Sequence, residues 1–211
     1  MAEVDASSEK PQPSEKPQSS AEPIDRSVSL GAATLLGLAL AAPLVALLLA
    51  LHAKVHGPGS IDAAVNGLLG NLAIGLPLLA LGIVVHELVH AIAWVTAGRG
   101  RWDRVRFGWQ WRALSPFAHY TEPLPATAYR RGAVAPLLVL GVGPALAGTF
   151  AGWPAVAAFG WLLVVGAAGD LAVLWLLRGV PPDARVADHP TRAGCLVFPA
   201  PNSPPRVSDV P

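Results

Sequence analysis

Cysteine and charged residues are both scarce in this chain of 211 residues. The one cysteine, Cys195, excludes an intrachain disulfide and gives no reason to expect an oxidising compartment. Only 14% of the residues are charged, 53% are hydrophobic and the mean hydropathy is +0.47, which excludes an ordinary soluble globular domain. A net charge of +1, with the basic residues beside apolar runs, argues against nucleic acid as the main partner. Composition therefore predicts a membrane protein whose first partner is the lipid bilayer.

Charge is almost missing from four long apolar runs, which occupy residues 28–51, 63–98, 132–152 and 154–177. Each run is long enough to cross about 30 Å of hydrocarbon as a helix. The second run exceeds one membrane thickness, so we expect a kink near Pro77. We expect five glycines to allow close helix contact: Gly141, Gly143, Gly148, Gly166 and Gly169. We therefore predict an all-α integral membrane protein with about four transmembrane helices, in a membrane domain over residues 27–178.

The segments outside these runs differ in composition. Residues 1–26 are rich in Ser, Pro, Glu, Lys and Gln, which predicts a disordered N-terminal tail. Residues 179–211 are rich in proline and polar residues, so we expect an irregular cytoplasmic tail or a short apposed segment. Residues 105–112 alternate in period two with aromatic side chains, which predicts a strand, followed by a turn at 114–116 and a return strand at 117–121. We expect a small β-hairpin at the membrane interface between helices two and three, and its edge is also a candidate for pairing with an extended substrate segment.

Basic residues are distributed unevenly along the chain. Lys and Arg number three in the N-terminal tail, one between runs one and two, seven in residues 99–131, none between runs three and four, and four from Arg178 onward. Cytoplasmic loops carry an excess of Lys and Arg. This distribution predicts a multi-pass protein of the inner cell membrane with both termini and the arginine-rich loop in the cytoplasm.

One pentapeptide carries the strongest signal for chemistry. His86-Glu87-Leu88-Val89-His90 matches the pattern H-E-x-x-H. Two histidines four residues apart share one face of a helix and can hold a zinc ion, and the adjacent glutamate can act as a general base towards the attacking water. We therefore expect a Zn²⁺ cofactor, with His86 and His90 as metal ligands and Glu87 as the catalytic residue.

A catalytic zinc ion usually has three protein ligands, so a third must come from elsewhere. Asp170 is the strongest candidate, because it is the one acidic residue of the fourth run and lies at nearly the same depth as His90, to within about 1.5 Å at the helical rise. His119 is an accessory candidate, either as the alternative ligand or as a stabiliser of an oxyanion. Asp188 and the histidine after it rank lower, because that tail would have to fold back to reach the site.

A second histidine pair, His52 and His56, also has a spacing of four residues. No acidic residue lies between the two, and they follow the end of the first apolar run. We expect an interfacial pair, with an accessory metal site as the alternative.

These motifs resemble a known group of proteins. The pentapeptide in a membrane helix, with Gly169-Asp170 in a later helix, resembles the site-2 protease clan of intramembrane zinc metalloproteases. The closer resemblance is to a compact family of membrane zincins in which a similar motif precedes a short loop, two helices, a Gly-Asp pair and an Asp-His-Pro tail, here Asp188-His189-Pro190. It covers roughly residues 68–198 and implies His86, His90 and Asp170 as ligands and Glu87 as catalytic. Site-2 proteases differ in having glycine after the aspartate, where this chain has Leu171.

The sequence thus predicts a zinc-dependent metallopeptidase that hydrolyses peptide bonds in or near the membrane. Its partners would be the bilayer and a membrane-protein or peptide substrate. Two alternatives remain open. One is a non-catalytic metal-binding or scaffold membrane protein, and the other is a membrane hydrolase of a small or lipidic substrate.

Overall fold

The computed structural model describes residues 22–98, 100–110 and 115–198, and most of them are helical. The helices are α1 (Leu30–His56), α2 (Ser60–Leu69), α3 (Leu72–Ala97), α4 (Ala126–Pro136), α5 (Gly143–Ala151), α6 (Pro154–Gly166) and α7 (Ala168–Leu176). A π-helical segment, Leu137–Val142, joins α4 to α5. The strands are β1 (Ile24–Val28), β2 (Val105–Gln110), β3 (Ser115–Tyr120), β4 (Leu124–Pro125), β5 (Arg185–Asp188) and β6 (Ala193–Phe198).

Three of the described helical stretches are long and apolar enough to cross a membrane: Leu30–His56, Leu72–Ala97 and Ala126–Ala151. A fourth crossing is made if α6 and α7, which bend by 42° at their junction, count as one span. The prediction of a helical membrane protein with about four spans is confirmed to this extent. Proline at the start of α6 and glycine after α5 explain the sharp connection between the last two spans.

The second apolar run is divided into two helices. α2 ends at Leu69, and the Asn71 side chain caps α3 by accepting a hydrogen bond from Ala73 N at 3.1 Å. Pro77 lies within α3, so the run is broken before it, at Gly70 and Asn71, and a kink at Pro77 stays a prediction. Gly70 and Asn71 together provide a helix end and an N-cap, and these local signals decide where the chain turns.

A four-stranded antiparallel sheet, in the order β1-β6-β5-β4, joins the two ends of the domain. The predicted disordered tail therefore ends too late, because residues 24–26 belong to β1. The predicted irregular segment after Arg178 instead contains β5 and β6, whose Val186 and Val197 side chains are buried in the core. Residues 1–21 and 199–211 lie outside the described residues.

A second sheet is formed by β2 and β3 alone, paired from Val105 with Tyr120 to Gln110 with Ser115. Ser115 and Pro116 belong to β3 rather than to the predicted turn, and residues 111–114 lie outside the described part of the chain. Val105 and Tyr120 are buried at the base of this hairpin, and Phe107 further along β2 is exposed. Its position at the lipid interface remains a prediction.

Close contact between α1 and α7 depends on Gly37. A Cβ atom at Gly37 would lie 1.9 Å from the backbone oxygen of Ala168, whereas Cβ atoms at Gly166 and Gly169 would meet nothing within 4 Å. The predicted close contacts at Gly166 and Gly169 are therefore wrong. The glycine that permits close approach of α7 lies on its neighbour α1 instead.

Substitution of Gly37 should be costly for this reason. We expect Gly37→Ala to lower the free energy of unfolding by about 1–3 kcal/mol, because the added methyl group overlaps backbone that cannot move alone. Gly31→Ala on the same helix is the matched control, since a Cβ there meets nothing within 4 Å. Thermal unfolding in detergent checks the pair, and equal melting temperatures for the two variants would contradict the packing argument.

Candidate metal centre

One face of α3 carries the side chains that form the centre. His86, His90 and Trp94 follow one another at intervals of four residues and are all buried. The opposite face carries exposed aliphatic side chains such as Val84 and Leu88. The helical period therefore turns both histidines of the motif towards the interior of the bundle and the aliphatic side chains away from it.

Asp170 faces both histidines. Its Oδ2 atom lies 3.0 Å from His86 Nε2, and its Oδ1 atom lies 3.2 Å from His90 Nε2. The bend before α7 places Asp170 in the first turn of that helix, where the unpaired backbone N–H groups and the helix dipole favour a negative charge. The structure thus brings together His86, His90 and Asp170, the three residues that the sequence predicted as a ligand set.

The orientation of His90 is fixed by a backbone carbonyl. His90 Nδ1 donates to Gly132 O at 2.9 Å, so a neutral ring keeps its proton on Nδ1 and a lone pair on Nε2. Gly132 O is available because the residue four positions later is Pro136, which has no N–H to donate, and the Leu137 N–H bonds to Val134 O instead. The Trp94 ring stacks on the face of the His90 imidazole, and the two ring centroids are 5.3 Å apart.

Glu87 is bonded to the hairpin. Its Oε2 atom accepts a hydrogen bond from the Ala118 N–H of β3 at 2.6 Å. Donor atoms of His86, Glu87 and His90 all lie within 4.8 Å of one another, so Glu87 is also within reach of a metal. We favour Asp170 as the third ligand, because both of its oxygens face the histidine nitrogens whereas one oxygen of Glu87 is already bonded to Ala118.

The residues fit a zinc ion. The Nε2 lone pair of a neutral His90 faces a carboxylate oxygen at 3.2 Å, which is repulsive unless a cation or a proton lies between the two atoms. Two imidazole nitrogens and one carboxylate form a donor set typical of catalytic zinc. The hydrogen bond from His90 to Gly132 is the kind of outer contact that orients such ligands.

His119 does not contact this ligand set. Its Nδ1 atom lies 2.5 Å from Asp188 Oδ2, and the Tyr129 hydroxyl donates to Asp188 Oδ1. The tail does fold back, as β5, but it brings Asp188 to His119 rather than to the metal ligands. Hydrogen bonding to the Asp188 carboxylate raises the pKa of His119 above its ordinary value, against the opposing effect of burial.

The second histidine pair is not a simple interfacial pair. His52 is buried and its Nδ1 lies 3.0 Å from Thr149 Oγ1, while His56 Nε2 lies 2.7 Å from Thr149 O. The two histidines thus connect the end of α1 to the end of α5. The described structure shows no third His, Cys, Asp or Glu ligand grouped with them.

Comparison with known proteins identifies the family. The family described as "Putative zincin peptidase" matches residues 79–185, just over half of the chain. The chain belongs to this family. Membership in the zincin peptidases indicates a zinc-dependent peptidase, and the match includes His86, Glu87, His90 and Asp170 but ends three residues before Asp188. No curated protein and no solved structure matches the chain.

Sequence reasoning missed the backbone groups of this zincin-peptidase centre. Gly132 O and Ala118 N–H act through the main chain, which leaves no signature in the side chains. One signal was available, because a proline four residues after Gly132 predicts a helix carbonyl without its usual partner.

A backbone N–H at position 136 should weaken the hydrogen bond between His90 and Gly132 O. We expect Pro136→Ala to lower zinc affinity by about 3- to 10-fold, since the new N–H competes for Gly132 O while the second lone pair of that oxygen remains. Pro144→Ala, in the same span but away from the centre, should leave affinity unchanged. Competitive zinc titration measures both variants, and equal affinities would show that the proline has no such role.

Proposed function

We propose that this zincin-family protein is a zinc-dependent membrane metallopeptidase that hydrolyses peptide bonds in or near the membrane. The observation that carries the proposal is the meeting of the His86 and His90 Nε2 atoms at the Asp170 carboxylate, with Glu87 of the same motif beside them. A shared origin with the site-2 protease clan is part of the proposal and is supported by the motif alone.

The centre would hold the ion through His86, His90 and Asp170. When bound, zinc supplies Lewis acidity, which lowers the pKa of a coordinated water towards about 7 and polarises a carbonyl group. His90 is oriented for this by Gly132, and the first turn of α7 stabilises the Asp170 charge. The Asp170 side chain is 21% exposed, which makes it the most accessible of the three proposed ligands.

Glu87 is the proposed general base. It takes one proton from the attacking water as the oxygen adds to the peptide carbonyl carbon, and the C–N bond then breaks with a proton delivered to the leaving amine. The hydrogen bond from Ala118 holds the Glu87 carboxylate within reach of the histidine pair. Substrate would be a peptide segment of a membrane protein or a peptide at the membrane surface.

We place the protein in the inner cell membrane with both termini in the cytoplasm. Pairing of β1 with β6 holds the two ends of the domain on one side, which agrees with an even number of crossings. The excess of arginine in residues 99–131 and after Arg178 supports the cytoplasm as that side.

Metal content tests the ligand set. We expect about one zinc per purified wild-type chain and its loss in His86→Ala and Asp170→Ala, because two protein ligands do not hold catalytic zinc. Gly169→Ala is the control next to Asp170, since its added Cβ meets nothing within 4 Å. Zinc retained in the absence of Asp170 would contradict its assignment as third ligand.

Replacing the base tests catalysis itself. Glu87→Gln should reduce peptide cleavage by about 10²- to 10⁴-fold while zinc content stays at the wild-type level, because the amide cannot take the proton from water. Glu122→Gln, an exposed side chain paired with Arg104, is the matched control. A non-catalytic metal-binding or scaffold protein would show no difference between the variants, and a hydrolase of small or lipidic substrates would leave protein fragments unchanged in membranes.

A further inference from the structure

A hydrogen-bonded chain of three side chains lies beside the metal centre. It contains His119 on β3, Asp188 on β5 and Tyr129 on α4. Asp188 uses one oxygen for each partner, and a carboxylate can only accept, so His119 Nδ1 carries a hydrogen. Among the described residues, Asp188 is the one hydrogen-bond partner of the His119 ring, which leaves its Nε2 edge available. The His119 side chain is 35% exposed, so that edge is accessible to a bound molecule.

The hydrogen-bonded set of His119, Asp188 and Tyr129 is linked to both Glu87 and His90. Consecutive residues of β3 reach Glu87, through the Ala118 N–H, and Asp188, through the His119 ring. The His119 Cα atom therefore lies within about 8 Å of the Glu87 carboxylate, little more than the length of two extended residues. Tyr129 lies one helical turn before Gly132, whose carbonyl orients His90.

Peptide hydrolysis requires a proton for the leaving nitrogen. Glu87 is poorly placed to provide it while it is accepting a proton from water. The carboxylate receives a proton from water while the C–O bond forms, and the amine nitrogen needs a proton as the C–N bond breaks. A separate acid near the base would supply the second proton without waiting for Glu87 to reorient. We propose that His119, oriented by Asp188, is this acid, and that Asp188 is its positioning residue; the inference rests on the proposed peptidase function.

The step balances. Water adds its oxygen to the carbonyl carbon and gives one proton to Glu87, and His119 Nε2 gives its proton to the departing nitrogen, so that a carboxylic acid and an amine result. Glu87 then releases its proton to solvent and His119 takes one back, which restores both groups.

The charges around His119 favour its protonated form. Asp188 contacts the ring from β5 and raises its pKa, whereas Arg106 lies directly opposite on β2 but turns its guanidinium to the carbonyl oxygens of Asp103 and Val105. From the other packed elements, α3 presents Glu87 and α4 presents the Tyr129 hydroxyl on Asp188. A raised pKa extends the imidazolium to higher pH than in an isolated histidine, and the imidazolium is lost as pH rises through the shifted value.

A purely structural role would give a different outcome in variants. Asp188→Asn keeps one acceptor oxygen, for either His119 or Tyr129, replaces the other oxygen with an NH2 group, and removes the negative charge. If the pair only connects β3 to β5, the variant changes stability and not the shape of the pH profile. If His119 is the acid, the alkaline limb of the profile moves.

The experiment uses the zinc-loaded full-length protein in lipid nanodiscs and a library of quenched-fluorescence peptides as the probe. Wild type, Asp188→Asn, His119→Gln and Asp25→Asn are compared by kcat/KM across the pH range, by zinc content, and by NMR titration of ¹³C-labelled histidines. Asp25 is the control because it is an acidic residue on β1, in the same sheet as Asp188, and it pairs with His189 rather than with His119.

We expect Asp188→Asn to move the alkaline limb and the His119 titration to lower pH by on the order of one unit. His119→Gln should remove that limb and lower kcat/KM by about 10²- to 10⁴-fold. Zinc content should be unchanged throughout, and Asp25→Asn should match wild type. An unmoved limb, an unmoved His119 titration or full activity of His119→Gln overturns this proposal alone. A wild type that cleaves no peptide overturns the proposed function and this inference with it.

Discussion

The carboxylate of Asp170 lies among apolar helices, where a lone charge costs on the order of 2.5–3.5 kcal/mol on insertion scales. A cation or a proton shared with the two imidazole nitrogens at 3.0 and 3.2 Å would offset that cost, and the first turn of α7 also favours the negative charge. The position of each of these groups depends on backbone contacts in other parts of the chain. The contact between Asp170 and the histidines therefore constrains the relative positions of α3 and α7 more tightly than aliphatic packing would.

Several unrelated parts of the chain serve this contact. Gly37 allows α1 to pack against Ala168, two residues before Asp170. Pro136 leaves the Gly132 carbonyl available for His90, and β3 supplies the N–H that holds Glu87. None of these residues is a proposed ligand or the proposed base, yet each helps to position one of them. The precision that a zinc centre requires is thus supplied by main-chain groups on three different elements.

The helical spans and the ligand set could be predicted because the chemistry of the side chains indicates both. Missing charge marks the spans, and the spacing of His86 and His90 with the depth of Asp170 marks the centre. Short strands such as β5 leave no comparable mark, because four residues of mixed character gain their stability from partners distant in sequence. The same limitation hid the contact of Asp188 with His119, which joins two separate sheets and follows from no local pattern. Gly169 misled for the opposite reason, since a small residue next to a functional one indicates packing only if a neighbour is there.

The pairing of β1 with β6 has a consequence for the order of assembly during synthesis. β1 leaves the ribosome before the first span, and its partner emerges only after the last span has been made. Until then the N-terminal strand has an open edge, β5 is missing, and His119 has no carboxylate beside it. A partly translated chain can insert its first helices without possessing a complete reaction centre. The contact between His119 and Asp188 therefore forms only after all of the described spans have been synthesised.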